Sequence, residues 1–196
     1  MSETYRQEHP IMRYPAHRWQ QLAFKAPVNL WRLGLGPIVG HVLMLISHTG
    51  RKSGLTRRTL VEYHVLEGKK YAPVAFGEQA QWYQNILADP FVTIQTAGGA
   101  QGAIATRVTD DAELVIVYHL LMHRNPVMMR WYLDSLGIRD TPEDVIAKKD
   151  RIFLLRFDPT GEPTPPPLEA DLWWVWIIGG GLLLGWLMYY LLSREE

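Results

Sequence analysis

The chain has 196 residues, 20 basic and 20 acidic side chains, and no cysteine. That excludes disulfides, thiolate metal sites, iron–sulfur clusters and cysteine nucleophiles, and the balanced charge gives no reason to expect a nucleic-acid partner. The length suffices for one hydrophobic core without covalent staples.

Residues 1–40 read as an N-terminal helical segment. Ile11 to Lys25 and Val28 to Leu35 mix Trp, Phe and Leu with Arg and Lys. Such pieces lie on a membrane surface or pack across the mouth of a domain, and packing is the preferred reading. Met1 to Pro10 is polar and lacks an apolar signal core, so the domain that follows is expected to face the cytoplasm.

Residues 41–157 then turn to β patterning. His41 to His48 is an apolar run, Thr49 to Thr56 a loop, and Arg58 to Leu66 an alternating strand. Glu67-Gly68-Lys69 turns the chain into Lys70 to Phe76. Gln79 to Ala88 has helical spacing and stops at Asp89-Pro90. Phe91 to Thr96 and Gln101 to Val108 form a hairpin, Asp110 caps a helix to His123, and Pro126 to Leu136 is a short helix ended by Gly137. Arg151 to Phe157 is a last strand. The sum is mainly β with flanking helices, an α+β domain best accommodated by a small β-barrel. No GxGxxG follows a strand, which excludes a Rossmann reading.

Residues 158–171 hold five prolines and read as a stiff linker. Residues 172–192 (LWWVWIIGGGLLLGWLMYYLL) carry no charge, with Trp and Tyr near both ends. As a helix these 21 residues measure about 31 Å, the thickness of a bilayer core, and predict a single-pass C-terminal transmembrane anchor. Gly181 and Gly185 stand in GxxxG spacing, which suits a homodimer, although glycine is common in membrane helices generally.

The stretch with most chemical content is Thr49-Gly-Arg-Lys-Ser-Gly-Leu-Thr-Arg-Arg-Thr59. Four cations, Arg51, Lys52, Arg57 and Arg58, fall between two strands among hydroxyls and glycines. This is either a solvated basic turn or an anion site for phosphate or carboxylate. His119 and His123 share a helix face, but no third metal ligand accompanies them. His41, His48 and His64 read as structural.

LMLISHTGRKSGLTRRTLVEY, followed by APVAFGEQAQWYQNILADPFVTIQTAGGAQGAIATRV, resembles the deazaflavin-dependent nitroreductase family over roughly residues 28–157. The resemblance implies a split β-barrel of the flavin-binding type and a site for the 8-hydroxy-5-deazaflavin coenzyme F-420, with FMN as second choice. It implies that Arg51, Lys52, Arg57 and Arg58 meet the coenzyme's anionic groups and that Ser53, Thr59 and Leu60 lie near its phosphate or ring. Ala75, Phe76 and Gly77 would approach from the other side, and Trp82 would border the pocket or pack the helix on the barrel. Asn85 is expected to hydrogen-bond helix to loop. Tyr132 is the candidate proton donor, against a plain packing role. Two positions depart from the pattern. Thr59-Leu60 stands where many relatives have Thr-Pro, and FGEQAQ is a short loop.

The function expected is a membrane-anchored oxidoreductase that transfers hydride from the reduced coenzyme to an electron-poor acceptor, a lipid-soluble quinone or a nitro compound. The alternative is a non-catalytic split barrel that binds flavin, haem or lipid. The four-cation turn favours a polyanionic cofactor.

Overall fold

The computed structural model describes residues 27–193, without the side chains of residues 191 and 192. The helix expected at Ile11 to Lys25 lies outside the described residues. Two short helices, α1 (Val28–Arg32) and α2 (Gly36–Val39), lead into the sheet. Its strands are β1 (Leu43–Thr49), β2 (Thr56–Glu62), β3 (His64–Leu66), β4 (Lys69–Pro73), β5 (Phe91–Thr96), β6 (Gly99–Arg107) and β7 (Leu154–Pro159). Helix α3 (Gln81–Ala88) follows β4. Helices α4 (Asp111–Arg124), α5 (Pro126–Ser135) and α6 (Pro142–Ala147) separate β6 from β7. Helix α7 (Trp174–Leu192) ends the described chain.

All pairings are antiparallel, in the order β2-β1-β5-β6-β7-β4-β3. The sheet curls until β2 comes back beside β4, and it does not close. Alternate residues of the central strands, such as Met44, Ile46, Val92 and Ile94, fill the inside, where Tyr83 and Ile86 of α3 plug one end. A second core binds α4, α5 and α6 to the sheet through Val117, Leu121, Leu133, Val145 and Leu154.

The expected strand Arg58 to Leu66 is two strands. The chain breaks at Tyr63, whose hydroxyl donates to Gly40 O at 2.8 Å and pins the corner. Asp110 caps α4 as expected, accepting from Glu113 N at 2.8 Å. Helix α6 was not anticipated, although Thr141 caps it in the ordinary way, its Oγ1 3.3 Å from Asp144 N.

Residues 158–171 are not a free spacer. Asp158 and Pro159 end β7, and residues 160–171 run as a strap over the outer face of β1 and β5, where Leu45, Ser47, Thr93 and Gln95 are buried. Gln95 Nε2 donates to Leu168 O (3.0 Å), and Leu168 N donates to Gln95 Oε1 (2.6 Å). Thr93 bonds to Thr164 at 2.7 Å and donates to Pro165 O. Gly102 lets the strap approach, since a Cβ there would meet Thr160 O at 3.2 Å. Proline removes amide donors but keeps carbonyl acceptors, and the polar side chains of β5 use the carbonyls of Pro165 and Leu168.

The C-terminal expectation also changes. The helix begins at Trp174, two residues late, and spans 19 residues. Four of these are glycine, which contributes little apolar surface. Among the described residues, no helix is long and apolar enough to cross a membrane. The large side chains from Trp173 to Tyr190 are nonetheless exposed.

Candidate functional site

The β1–β2 turn is built by its own backbone. Gly50 N donates to Leu55 O at 2.9 Å, and Ser53 N and Gly54 N both donate to Gly50 O, at 3.0 and 2.8 Å. Gly54 takes the left-handed conformation the turn requires, φ 66°. Leu55 N donates to Ser53 Oγ at 3.4 Å, and Arg51 N to Asn85 Oδ1 at 3.2 Å. Among the described residues nothing accepts from Lys52 N, and the other turn amides are used, so an anion would be met by side chains rather than by a nest of amides.

Asn85 is the strut between turn and helix. Its Oδ1 also accepts from Arg51 Nη1 at 2.8 Å, and Arg51 Nη2 donates to Gln81 Oε1 at 3.0 Å. With both acceptor bonds on Oδ1, the amide nitrogen faces His48 Nδ1, 3.3 Å away. His48 is neutral at ordinary pH, because burial pushes its imidazole down to about 4. Arg51 is thereby held against α3. The side chains of Lys52 and Arg57 form no hydrogen bond or ion pair with any described residue. The β1–β2 register pairs His48 with Arg57 and Ile46 with Thr59, so Arg57 and Thr59 share the barrel's inner side. Arg58 pairs with Ser47 on the other side and brings Nη2 to 3.5 Å from Pro167 O.

Beside this turn lies a cavity of about 760 Å³. Arg51, Lys52, Ser53, Arg57, Arg58, Thr59, Leu60, Ala75, Phe76, Trp82 and Tyr132 all line it. Gly77 does not; it is buried at the start of a 3-10 turn. Trp82 fills both expected roles, lining the cavity and packing on the barrel core. Sequence reasoning missed the other wall: Val28 of α1, Glu62 and His64 at the β2–β3 corner, and Asn125, Met128 and Trp131 around α5. Met128 and Trp131, two large apolar residues three apart on one short helix, were the signal the sequence offered, and both are exposed.

The cavity runs along an open strand edge. Tyr63 N donates to Val42 O (3.4 Å) and Gly50 N to Leu55 O, which continues the β1–β2 register at both ends. Odd-numbered residues of β2 therefore bond to β1. The N–H and C=O groups of Arg58, Leu60 and Glu62 point the other way, where no strand pairs. A flat heterocycle with alternating donors and acceptors matches such an edge.

Tyr132 is placed differently from a proton donor. It is buried, its hydroxyl oxygen accepts from Phe153 N at 3.2 Å, and burial pushes the phenol up to about 12. Packing accounts for it. Among the described residues, no group of three His, Asp or Glu could hold a metal ion.

An open antiparallel barrel with a cavity between a basic turn and an exposed strand edge defines a class of cofactor-binding barrels. Residues 32–131 match the family model described as F-420H(2)-dependent quinone reductase, and the chain belongs to that family. It is an oxidoreductase whose cofactor is coenzyme F-420. Among solved structures, an F-420-H2 dependent reductase is 19% identical, with 59% of this chain and 93% of that chain covered at a TM-score of 0.46. The haem storage protein HutZ of Vibrio cholerae is 12% identical over 76% and 98% of the two chains, at 0.44. A putative pyridoxamine 5'-phosphate oxidase from Listeria innocua is 11% identical over 64% and 89%, at 0.41. No curated protein matches significantly.

Proposed function

We propose that the enzyme reduces a lipid-soluble quinone at a membrane surface. Lys52 and Arg57, the unpaired cations of the turn, hold the phosphate and acidic tail of the coenzyme. The open edge at Arg58, Leu60 and Glu62 offers backbone donors and acceptors to its ring, and Thr59 and Trp82 bound the space beside it. When bound, the reduced deazaflavin supplies a hydride. The protein's part is to orient the two reactants and exclude water, and Met128, Met129 and Trp131 give the acceptor an apolar wall.

The observation that carries the membrane reading is the corner between α1 and α7. Arg32 grips Asp171 with two bonds of 2.8 and 2.6 Å. Leu172 N donates to Arg32 O at 2.8 Å, and Trp176 Nε1 donates to Leu33 O at 2.7 Å. Val28, at the start of the same α1, lines the cavity. The exposed apolar helix is thus tied to the cavity's mouth, and lipid bound along α7 would meet an acceptor where it is needed. A glycine face at Gly181 and Gly185, with open space around it, suits close approach of a second copy of the helix.

The test compares the full chain with one ending at Ala170, in lipid vesicles carrying a long-chain quinone. The full chain will float with the vesicles and reduce the quinone faster. Both forms will reduce a water-soluble analogue equally and bind the coenzyme equally. Equal rates on the lipid-borne quinone refute the membrane reading.

A further inference from the structure

Two-electron reduction of a quinone by hydride leaves a phenolate, so the cavity also has to supply a proton. Its lining offers few candidates. Tyr132 is buried, and its phenol, pushed up to about 12, is a poor acid at ordinary pH. His48 is committed to Asn85 beneath the basic turn. Arginine does not give up its proton at ordinary pH.

His64 remains. It stands two residues after Glu62 at the β2–β3 corner, and both side chains line the cavity. His64 Nε2 lies 3.6 Å from Glu62 Oε1; the imidazole is 12% exposed and the carboxylate 40%. Nδ1 makes no hydrogen bond with a described residue. The imidazole is therefore shielded on the cavity wall, beside a carboxylate that itself reaches water. Leu121, Asn125 and Met128 line the same cavity, and α4 packs against β3. Arg124 at the end of α4 is the other charge acting on His64, and Tyr71 sits opposite it in the β3–β4 ladder with its hydroxyl donated to Glu113.

We propose that His64 is the proton donor to the reduced acceptor and that Glu62 is its positioning residue. This rests on the cavity holding both coenzyme and quinone. The quinone takes a hydride, two electrons and one proton, and becomes a hydroquinone monoanion. The coenzyme is oxidised by two electrons and releases one ring N–H proton to solvent. The Nδ1–H bond of the His64 imidazolium breaks, a new O–H bond forms on the phenolate oxygen, and the neutral imidazole regains a proton from water beside Glu62.

Burial lowers the His64 pKa from its ordinary value and Arg124 adds to this, while Glu62 opposes both. The active, protonated form is thus lost as pH rises through a value below about 6.5. The experiment uses the full chain, its H64Q and E62Q variants, a water-soluble quinone and buffers between about pH 5 and 8. Coenzyme affinity is measured alongside, and the His64 ring is titrated by NMR without coenzyme. Wild-type kcat will fall with rising pH. H64Q will lose roughly a hundredfold in kcat and the pH dependence with it, with coenzyme Kd unchanged, and added imidazole will restore part of the rate. E62Q will keep the dependence, displaced to lower pH, and the NMR titration of His64 will move the same way. An H64Q enzyme with the wild-type rate and pH profile, beside an active wild type, overturns this proposal alone. A wild type that binds coenzyme and reduces no quinone overturns the reading of the cavity and this proposal together.

Discussion

Replacing Asn85 by alanine will detach the basic turn from α3. The wild-type Oδ1 accepts from Arg51 Nη1 at 2.8 Å and from Arg51 N at 3.2 Å, at a residue only 8% exposed. The charge-assisted bond contributes about 1.5 kcal/mol, the lower end of its range because Arg51 itself is exposed. Leaving the Arg51 amide without a partner costs about another 1–2 kcal/mol. Urea unfolding of Asn85→Ala will therefore show a loss of about 3 kcal/mol. Arg51→Ala removes the guanidinium bond but keeps the amide bond, so the double-mutant cycle isolates the side-chain contact. Its coupling will be about 1–1.5 kcal/mol. Coenzyme affinity of Asn85→Ala will fall about tenfold, since the turn must then be ordered on binding. Additivity of the two substitutions to within about 0.5 kcal/mol refutes the strut.

The strap and an acid-sensitive corner give two more expectations. Gln95→Ala removes the reciprocal pair with Leu168, so hydrogen exchange at the Leu168 amide will accelerate while the barrel amides of β6 stay protected; unchanged exchange at Leu168 contradicts the docking. Asp144 accepts from Lys148 Nζ and from Arg139 N, both at 2.7 Å, and its carboxyl is held down at about 2. A depressed carboxylate contributes stability that is complete above the ordinary range near 4 and lost as pH falls through about 2. Asp144→Asn will flatten that acid limb in melting curves taken across it, and an unaltered limb rejects the assignment.

Local chemistry was the legible part of the sequence. The turn between β1 and β2, the Asp110 cap and the helix at Trp82 each depend on neighbours within a few residues, and each formed as expected. What could not be read depends on partners far along the chain. Five prolines announce missing N–H groups, but nothing nearby says that Thr93 and Gln95 will take the strap's carbonyls. The role of β2 as an open edge follows from the phase of its ladder with β1, which composition does not contain. Tyr132 had the right residue type in the right region, and only the fold shows it buried, with its phenol pushed up to about 12. Glu62 and His64 alternate like any strand residues until Tyr63 breaks the strand and leaves both at a corner beside the cavity.

The open edge of β2 has a consequence for the protein before its coenzyme arrives. Unpaired amides and carbonyls in a row accept a foreign strand as readily as a heterocycle. Arg57, Arg58 and Glu62 occupy this short edge, and a second copy of the same strand would set cations against cations in some of its registers. Helix α1 also lies against β2 and narrows the approach. The charges that make the turn basic thus have a second effect: they keep newly made chains apart while the edge waits to be filled.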